Sequence, residues 1–191
     1  MGRFFALAGP IAAFTGGLSA RMTSARNAAT TSACGGDRWT VKTLQDRPHL
    51  LPARNTTIHF LSTRPAPSHI DPPPVAATEK PEPDTRLPFE HHVFTVIAPV
   101  VLARPEDDSD LHVVLQHGGN HMITEAPSPS CDRHATAYRR RQMRIARTHV
   151  RLCARARVTG VAFFDFDHGQ TGVAPNAIEL HPILGFTCLT G

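Results

Sequence analysis

The residues most able to do chemistry gather near the C-terminal end of this 191-residue chain, within residues 158–183. Carboxylates and imidazoles that converge can coordinate a divalent cation or act as general acid and base. The segment offers five such side chains: Asp165, Asp167, His168, Glu179 and His181. The same composition suits an ordered loop held by side-chain-to-backbone hydrogen bonds, with Asn176 capping the turn before the last strand. Both interpretations stay open at this point.

A second acidic group precedes a predicted strand and comprises Glu106, Asp107, Asp108, Asp110 and His112. Acids in a turn can chelate calcium, but the DxDxDG spacing of a calcium loop is absent, so a solvated acidic turn is the alternative. If the two groups meet at one end of the fold, they form a single candidate site. Its members are Asp107, Asp110, His112, Asp165, Asp167, His168, Asn176, Glu179 and His181.

Arginine dominates a predicted helix that lies between these two groups in the sequence. Helical spacing relates four candidates for anion binding: Arg140, Arg144, Arg147 and Arg151. The formal net charge of +4 favours an anionic ligand only weakly. Nucleic acid is disfavoured as a partner, because Tyr138 is the lone aromatic residue beside these arginines.

Hydrophobic patterning predicts five strands and one helix that must position these residues. From alternation and β-branched content, strands are predicted at residues 92–103, 111–116, 121–125, 156–166 and 177–186. The helix is predicted over residues 135–151, which contain no proline or glycine, and Asp132 or Thr136 can cap it. A turn of sequence HGGN at residues 117–120 predicts a hairpin, and Pro99 predicts an edge position or a bulge in the first strand.

The element order β-β-β-α-β-β is that of the OB-fold, a five-stranded barrel whose helix lies between the third and fourth strands. The sequence therefore predicts a mainly β fold with one helix, an OB-like barrel over residues 90–191. On the predicted helix, one stripe comprises Tyr138, Gln142, Ile145, His149 and Leu152, and beside it lie Met143, Ala146 and Val150.

The residues before the barrel divide into three predicted segments. Residues 1–20 have a basic start and then an apolar run, the layout of a signal peptide, which predicts a secreted or periplasmic protein with no membrane span in the mature chain. Residues 21–63 are an N-terminal arm, in which residues 39–44 form a short strand or an anchor and residues 58–61 a short helix with a threonine cap or a strand. Residues 64–89 are proline-rich and are predicted to be an extended linker.

Four cysteines without CxxC spacing favour disulfides over a thiolate metal site or a redox motif. If the last two strands pair antiparallel, Cys153 lies nearly opposite Cys188. That pairing leaves Cys34 with Cys131, which would tie the arm to the barrel. A bridge from Cys131 to Cys153 is less attractive, because a helix of about 15 residues separates its ends by roughly 22 Å.

Four segments of the chain resemble an uncharacterised family of small, often exported bacterial proteins. They are WTVKTLQD at residues 39–46, EDDSDLHVVL at 106–115, MITEAPSPSC at 122–131 and VTGVAFFDFDHGQTGVAPNAIELHPIL at 158–184. The last segment is the longest and most specific. The resemblance implies that the chain is a genuine folded protein and not a spurious reading frame. It implies no activity, since none is established for that family.

The leading hypothesis is a secreted, disulfide-stapled OB-like module that binds a ligand or partner at a mouth formed by residues 107–110 and 165–168. The alternative is a metal-assisted hydrolase, acting on phosphodiesters, that uses the same acids and histidines. A third interpretation is a purely structural envelope protein. No GxSxG, P-loop, GxGxxG or HExxH motif is present, so no catalytic residue is assigned and enzymatic activity stays open. No cofactor is required, and a divalent cation is the cofactor that the acids and histidines would suit.

Overall fold

A computed structural model of the chain describes residues 2, 34, 38–67, 85–167 and 169–189. Apart from Gly2, these residues fall in the unit formed by residues 32–191. The predicted signal peptide, most of the predicted proline-rich linker and His168 lie outside the described residues. None of the helices in the described part of the chain is long and apolar enough to cross a membrane.

The described residues form six strands, three α-helices and one 3₁₀ turn at Pro88–His91. In chain order the helices and strands are α1 (Trp39–Lys42), β1 (Arg54–Thr56), α2 (Ile58–Ser62), β2 (Val93–Pro105), β3 (Leu111–His117), β4 (Asn120–Ala126), α3 (Ala137–His149), β5 (Cys153–Phe164) and β6 (Ile178–Cys188). From β2 onward the order is the predicted β-β-β-α-β-β.

Strands β2 to β6 close into a barrel. Antiparallel pairs join β2 to β3, β3 to β4, β5 to β6 and β2 to β5, and a short parallel pairing joins β4 to β6. The three-residue strand β1 adds in parallel to β2. The prediction of a mainly β, OB-like five-stranded barrel with one substantial helix is therefore confirmed.

The structure confirms some of the local predictions and contradicts others. Residues 39–42 are helical, so the strand alternative for this segment is wrong. The helical alternative for α2 is right, because the Thr57 side chain caps its first turn. The pairing of β2 with β5 shifts register between Ala98 and Val100, which places a bulge at Pro99. Strand β5 ends at Phe164 rather than at residue 166, so Asp165 and Asp167 both lie in the loop that follows it.

The main core fills the barrel and is built from alternate residues of its strands. Val113 and Leu115 of β3, Met122 of β4 and Leu180 of β6 belong to it. Helix α3 reaches this core through Ala146, while its Met143 packs with Leu44 of the arm in a second, smaller cluster. Burial of these apolar side chains supplies most of the drive for folding.

Helix α3 packs on the protein through fewer side chains than its apolar residues predict. Met143 and Ala146 are buried, whereas Tyr138, Ile145 and Leu152 are exposed. The small side chain of Ala146 allows the helix to approach the barrel closely, which a bulkier residue at the contact would prevent.

Both predicted disulfides are present, and none of the four cysteines is free. Cys153 and Cys188 join the ends of β5 and β6, with their Cα atoms 5.8 Å apart. Cys34 and Cys131 join the N-terminal arm to the loop after β4, with Cα atoms 5.6 Å apart. The arm is therefore held to the barrel by a covalent bond as well as by packing.

Two glycines on the β5–β6 hairpin give a matched pair of stability variants. A Cβ at Gly160 would lie 2.8 Å from Leu180 Cβ and 3.1 Å from the Pro182 carbonyl oxygen, atoms that cannot move without the backbone. We expect Gly160→Ala to cost about 1–3 kcal/mol of unfolding free energy through overpacking. A Cβ at Gly185 would meet Thr159 Cβ at an ordinary 3.6 Å, so Gly185→Ala should change stability little. Urea denaturation measures both, and equal midpoints for the two variants would contradict the close packing.

Candidate functional site

Two histidines and two glutamates share the barrel face turned away from the main core. His112 precedes the core residue Val113 on β3, and Glu179 and His181 flank the core residue Leu180 on β6. Successive side chains of a strand point to opposite faces, so these polar residues point outward. Outward here does not mean exposed, because His112 and His181 are both 0% accessible.

The strand register brings these residues together. His112 of β3 stands directly opposite Glu125 of β4. Thr124, the neighbour of Glu125, pairs with Leu180 of β6, so Glu125 lies beside Glu179 and His181. In OB-folds the outward face of the second and third barrel strands commonly binds ligands. The polar cluster occupies that face, on β3, β4 and β6.

The N-terminal arm and two loops cover the cluster. The Trp39 ring of α1 meets the His181 ring edge-on at 6.5 Å, and the Phe163 ring of β5 meets it at 5.9 Å. The acidic loop between β2 and β3 places the fully buried Asp110 against His181. The loop between β5 and β6 places the Thr171 carbonyl against His112.

His181 has a carboxylate at each side of its ring. Its Nδ1 lies 3.1 Å from Glu179 Oε1, in a hydrogen bond, and 3.2 Å from Glu125 Oε2. Its Nε2 lies 3.2 Å from Asp110 Oδ2. That last pair is close but misaligned: neither His181 Nε2 nor Asp110 Oδ2 has a hydrogen-bond partner among the described residues, although both atoms are buried. Buried polar atoms are rarely left in this state. With His181 protonated the two atoms form an ion pair, and with His181 neutral they lack a partner that a cation between them would supply.

His112 stands between a backbone carbonyl and two glutamates. Its Nε2 lies 2.8 Å from the Thr171 carbonyl oxygen. Its Nδ1 lies 3.0 Å from Glu125 Oε1 and 3.4 Å from Glu106 Oε1. A carbonyl oxygen and an ionised carboxylate can only accept, so Nε2 donates to Thr171 and Nδ1 donates to Glu125, as a doubly protonated ring does.

Two triads of side chains bring possible metal donors close together. One comprises Asp110, Glu125 and His181, and the other comprises Glu106, His112 and Glu125; in each, one donor atom per residue lies within 4.8 Å of the others. Glu125 belongs to both. An imidazole with carboxylates suits divalent transition metals such as zinc.

The charges of the cluster shift the pKa values of its members strongly. Burial lowers the pKa of His181, but the surrounding carboxylates, led by Asp110 and Glu179, outweigh burial and raise it to about 10. Burial and the charge of Glu125 raise the pKa of Glu179 to about 7. Burial also acts to raise the pKa of Glu125, yet the hydrogen bond from His112 and the charge of His181 hold it below its ordinary value.

Lys42 of α1 closes one side of the cluster. Its Nζ lies 2.9 Å from Asp165 Oδ2 and stands 5.2 Å from the centre of the Phe163 ring. Burial lowers the pKa of Lys42, but the carboxylate of Asp165 and then those of Glu179 and Glu125 raise it above its ordinary value. The Asp165 carboxylate therefore forms an ion pair with the Lys42 ammonium group.

The structure divides the nine candidates predicted from the sequence. It brings Asp110, His112, Glu179 and His181 into one buried cluster, with Asp165 at its edge through Lys42. Asp107 is exposed, and Asp167 accepts a hydrogen bond from the Gly169 amide within its own loop. The Asn176 side chain donates to the carbonyls of Leu61 and Arg64 and accepts from the Ile178 amide. His168 lies outside the described residues.

The four arginine candidates for anion binding are partly occupied within the protein. Arg147 donates to the carbonyls of Ala126 and Ser109, and Arg144 lies 3.3 Å from Asp132 Oδ1. Arg151 donates to the His149 carbonyl at 3.4 Å. Anion binding by Arg140 and its three neighbours stays a prediction.

Two members of the cluster were not among the sequence candidates, Glu125 and Lys42. Glu125 had a signal: in a hairpin that turns at residues 117–120, the residue opposite His112 is residue 125. No sequence signal indicated Lys42, because its partner Asp165 lies 123 residues away in the sequence.

Comparison of the chain with protein-family models and with curated proteins finds no match to either. The geometry of the cluster is therefore the basis for assigning a function.

Proposed function

We propose that this protein is an OB-like module that binds a divalent transition-metal ion, of which zinc is the best suited, through Asp110, Glu125 and His181. The single observation behind the proposal is the buried pair Asp110 Oδ2 and His181 Nε2, 3.2 Å apart and without a hydrogen-bond partner among the described residues. Zinc bonds to nitrogen and oxygen of about 2.0–2.2 Å, meeting at a tetrahedral angle, separate two ligands by roughly 3.3–3.5 Å. The observed spacing is therefore close to that of two ligands of one ion.

The surroundings of His181 support its role as a ligand. Its Nδ1 hydrogen bonds to Glu179, which leaves Nε2 for the ion. Metal-binding histidines commonly donate their second ring hydrogen to a carboxylate, which fixes the ring and its tautomer. Glu125 is the third candidate ligand, since one donor atom of each of the three residues lies within 4.8 Å of the others. Its Oε2 lies 3.2 Å from His181 Nδ1, so the carboxylate must turn toward Asp110 to reach an ion on Nε2.

Zinc-dependent stabilisation tests the site. We expect zinc at a hundredfold excess over its Kd to stabilise chelator-stripped protein by about 2.7 kcal/mol. For a chain of this length that is a rise in Tm of roughly 5–10 °C. In Asp110→Asn, which keeps the side-chain shape but removes the anionic ligand, the rise should shrink by at least half.

The matched control lies in the same loop. Asp107 is exposed and outside both triads, so Asp107→Asn should keep the full zinc response. An unchanged Tm of the wild type with zinc, or an equal rise in Asp110→Asn and the wild type, would overturn the proposal.

A second candidate function, metal-assisted hydrolysis of a phosphodiester, is favoured by one observation. Glu106, a member of the second triad, lines a cavity of about 500 Å³ together with Arg104, Asp107 and Asp108. A cationic side chain beside a metal centre suits a phosphate. Zinc-dependent turnover of a chromogenic phosphodiester that disappears in Arg104→Gln would favour hydrolysis over binding alone.

We propose further that the protein is exported. The two disulfides among the described residues support this, since structural disulfides form and persist in oxidising compartments. Mass spectrometry of the mature chain tests it: removal of about the first 20 residues is expected, and an intact N-terminus in exported protein would contradict a cleaved signal peptide.

A further inference from the structure

A cavity of about 450 Å³ lies where β1, α2 and the 3₁₀ turn meet strand β2. Its wall is aromatic and includes the rings of Phe60, Phe89, His92 and Phe94. The centre of the Phe89 ring lies 5.0 Å from that of His92 and 5.7 Å from that of Phe94. Sites for small organic molecules measure roughly 300–1,000 Å³ and are lined mainly by apolar and aromatic side chains. The cavity therefore has the size and the lining of such a site.

The packing of α2 leaves an aromatic ring exposed in this cavity. Ile58 and Leu61 are three residues apart, which puts them on one helix face, and both are buried in the main core. Phe60 lies on another face of the helix and is 45% exposed. Aromatic pairs are favourable beyond the area that they bury, so this ring suits a flat aromatic ligand better than an aliphatic one.

The charge of the cavity is positive. Among the described residues, its lining includes Arg54 and Arg64 but no aspartate or glutamate. Arg54 of β1 stands opposite Phe94 of β2 in the strand register. The guanidinium carbon of Arg64 lies 5.2 Å from the centre of the Phe60 ring and 5.6 Å from that of Phe89. A guanidinium that stacks on rings through its face keeps its N–H groups for an anion.

These two arginines lack the carboxylate partners that other arginines of the protein have. The Arg38 guanidinium, for example, lies 2.6 Å from the Glu90 carboxylate. In the part of the chain that the structure describes, no carboxylate lies within ion-pair distance of Arg54 or Arg64. Two unpaired positive charges beside one cavity attract an anionic ligand.

We propose that this cavity binds a small organic anion with a flat aromatic ring, such as an aryl carboxylate or an aryl sulfonate. The ring of the ligand packs against the aromatic wall, and its acidic group pairs with Arg54 and Arg64. The cavity shares no residue with the two triads, so this proposal does not depend on metal binding.

Equilibrium dialysis with naphthalenesulfonate tests the site, in chelator so that no metal contributes. We expect saturable binding of one molecule per chain with a Kd of about 0.1–1 mM, the usual range for so small a ligand. Naphthol has the same ring system without the charge, so it should bind about fivefold more weakly or worse. This comparison uses the wild-type protein and does not depend on the folding of any variant.

Two variants test the charge and the ring separately. Arg64→Gln should weaken the binding of naphthalenesulfonate by about fivefold, through loss of one ion pair. Phe60→Leu, which keeps an apolar side chain but removes the ring, should weaken it by about threefold. Both residues are exposed, so we expect both variants to fold, and circular dichroism during heating checks this.

Helix α3 offers matched controls outside the cavity. Arg141→Gln removes the same charge from an exposed position, and Tyr138→Leu removes a ring that is 65% exposed and has the Arg139 guanidinium 5.3 Å from its centre. Neither control should change the Kd of naphthalenesulfonate.

The possible results decide for or against the cavity. Binding that fails to saturate, or naphthol that binds as tightly as naphthalenesulfonate, would overturn the proposal. Equal weakening in Arg64→Gln and Arg141→Gln would show attraction to the net charge alone, and unchanged binding in both Arg64→Gln and Phe60→Leu would place the ligand elsewhere. Either of these also refutes the inference, and none of the four results bears on the zinc site.

Discussion

Replacing Glu90 with glutamine is expected to destabilise the protein by about 3–5 kcal/mol, the usual cost of removing one partner of a buried ion pair. Glu90 is fully buried and accepts hydrogen bonds from Arg38 at 2.8 and 2.6 Å. It also accepts the backbone amides of Phe164 at 3.0 Å and Leu87 at 2.7 Å. This one carboxylate therefore joins the arm that covers the cluster, the 3₁₀ turn and the end of β5.

Urea denaturation of Glu90→Gln in chelator measures this loss. The control is Arg104→Gln, which removes an exposed pair at 3.5 Å and should cost under about 1 kcal/mol. A Glu90→Gln variant as stable as the control would mean that Arg38 does not depend on Glu90 for its charge balance.

The metal-free protein is expected to lose stability as the pH rises from about 5 to 10. The folded protein raises the pKa of His181 from 6.5 to about 10, so this histidine binds its proton more tightly when folded. Its contribution is fully present below pH 6.5 and is lost as the pH rises through 10. The raised pKa of Glu179, about 7 against 4.5, acts in the same direction between pH 4.5 and 7. The lowered pKa of Glu125 has the opposite effect on stability: the stabilisation it contributes is lost as the pH falls below 4.5, outside the range from pH 5 to 10.

Unfolding in urea with chelator, at pH values from 5 to 10, measures this dependence. We expect a loss of roughly several kcal/mol across the range, since each unit of pKa difference corresponds to about 1.4 kcal/mol. His181→Gln should flatten the profile above pH 7. A wild-type profile that is flat, or that rises with pH, contradicts a protonated His181 among the carboxylates of Asp110, Glu125 and Glu179.

Zinc should reverse the trend, because a metal ion replaces the histidine proton. Histidine ligands must lose their protons before they bind, so zinc affinity is expected to increase with pH over the range in which the metal-free fold weakens.

Strand patterning and turn chemistry were sufficient to predict the barrel. Alternation located the five barrel strands, and the HGGN turn at residues 117–120 fixed the hairpin of β3 and β4. Once two strands are paired around a known turn, each residue has a defined opposite, and His112 therefore meets Glu125. The first triad also needed the pairing of β4 with β6, a long-range contact that local patterning does not encode.

The cover over the cluster could not be predicted from local sequence. Residues 39–42 were expected to form a strand or an anchor, yet they form a helix that brings Lys42 to Asp165. Only the tertiary arrangement decides this, because four residues are too few for a helix to be stable by its own propensity. The Cys34–Cys131 disulfide, predicted by elimination, was the one indication that the arm returns to the barrel.

The roles of the loop residues also depended on tertiary contacts. Asp165 and Asp167 look equivalent in sequence, but β5 ends before both, and only Asp165 reaches a buried partner. Asn176 was a candidate for the site and for a turn cap; it accepts from the Ile178 amide, as a cap does, and donates to the carbonyls of Leu61 in α2 and of Arg64 after it. Short polar side chains serve loops and sites equally well, and the sequence does not distinguish the two uses.

Anomalous diffraction from zinc-loaded crystals tests the central claim most directly, since it locates the ion among named atoms. Data collected above and below the zinc absorption edge should show a difference peak between Asp110 and His181. The peak is expected at about 2.0–2.2 Å from both Asp110 Oδ2 and His181 Nε2. A cluster with no peak, in crystals whose zinc is bound only by surface histidines, would contradict the assignment of this cluster as a metal centre.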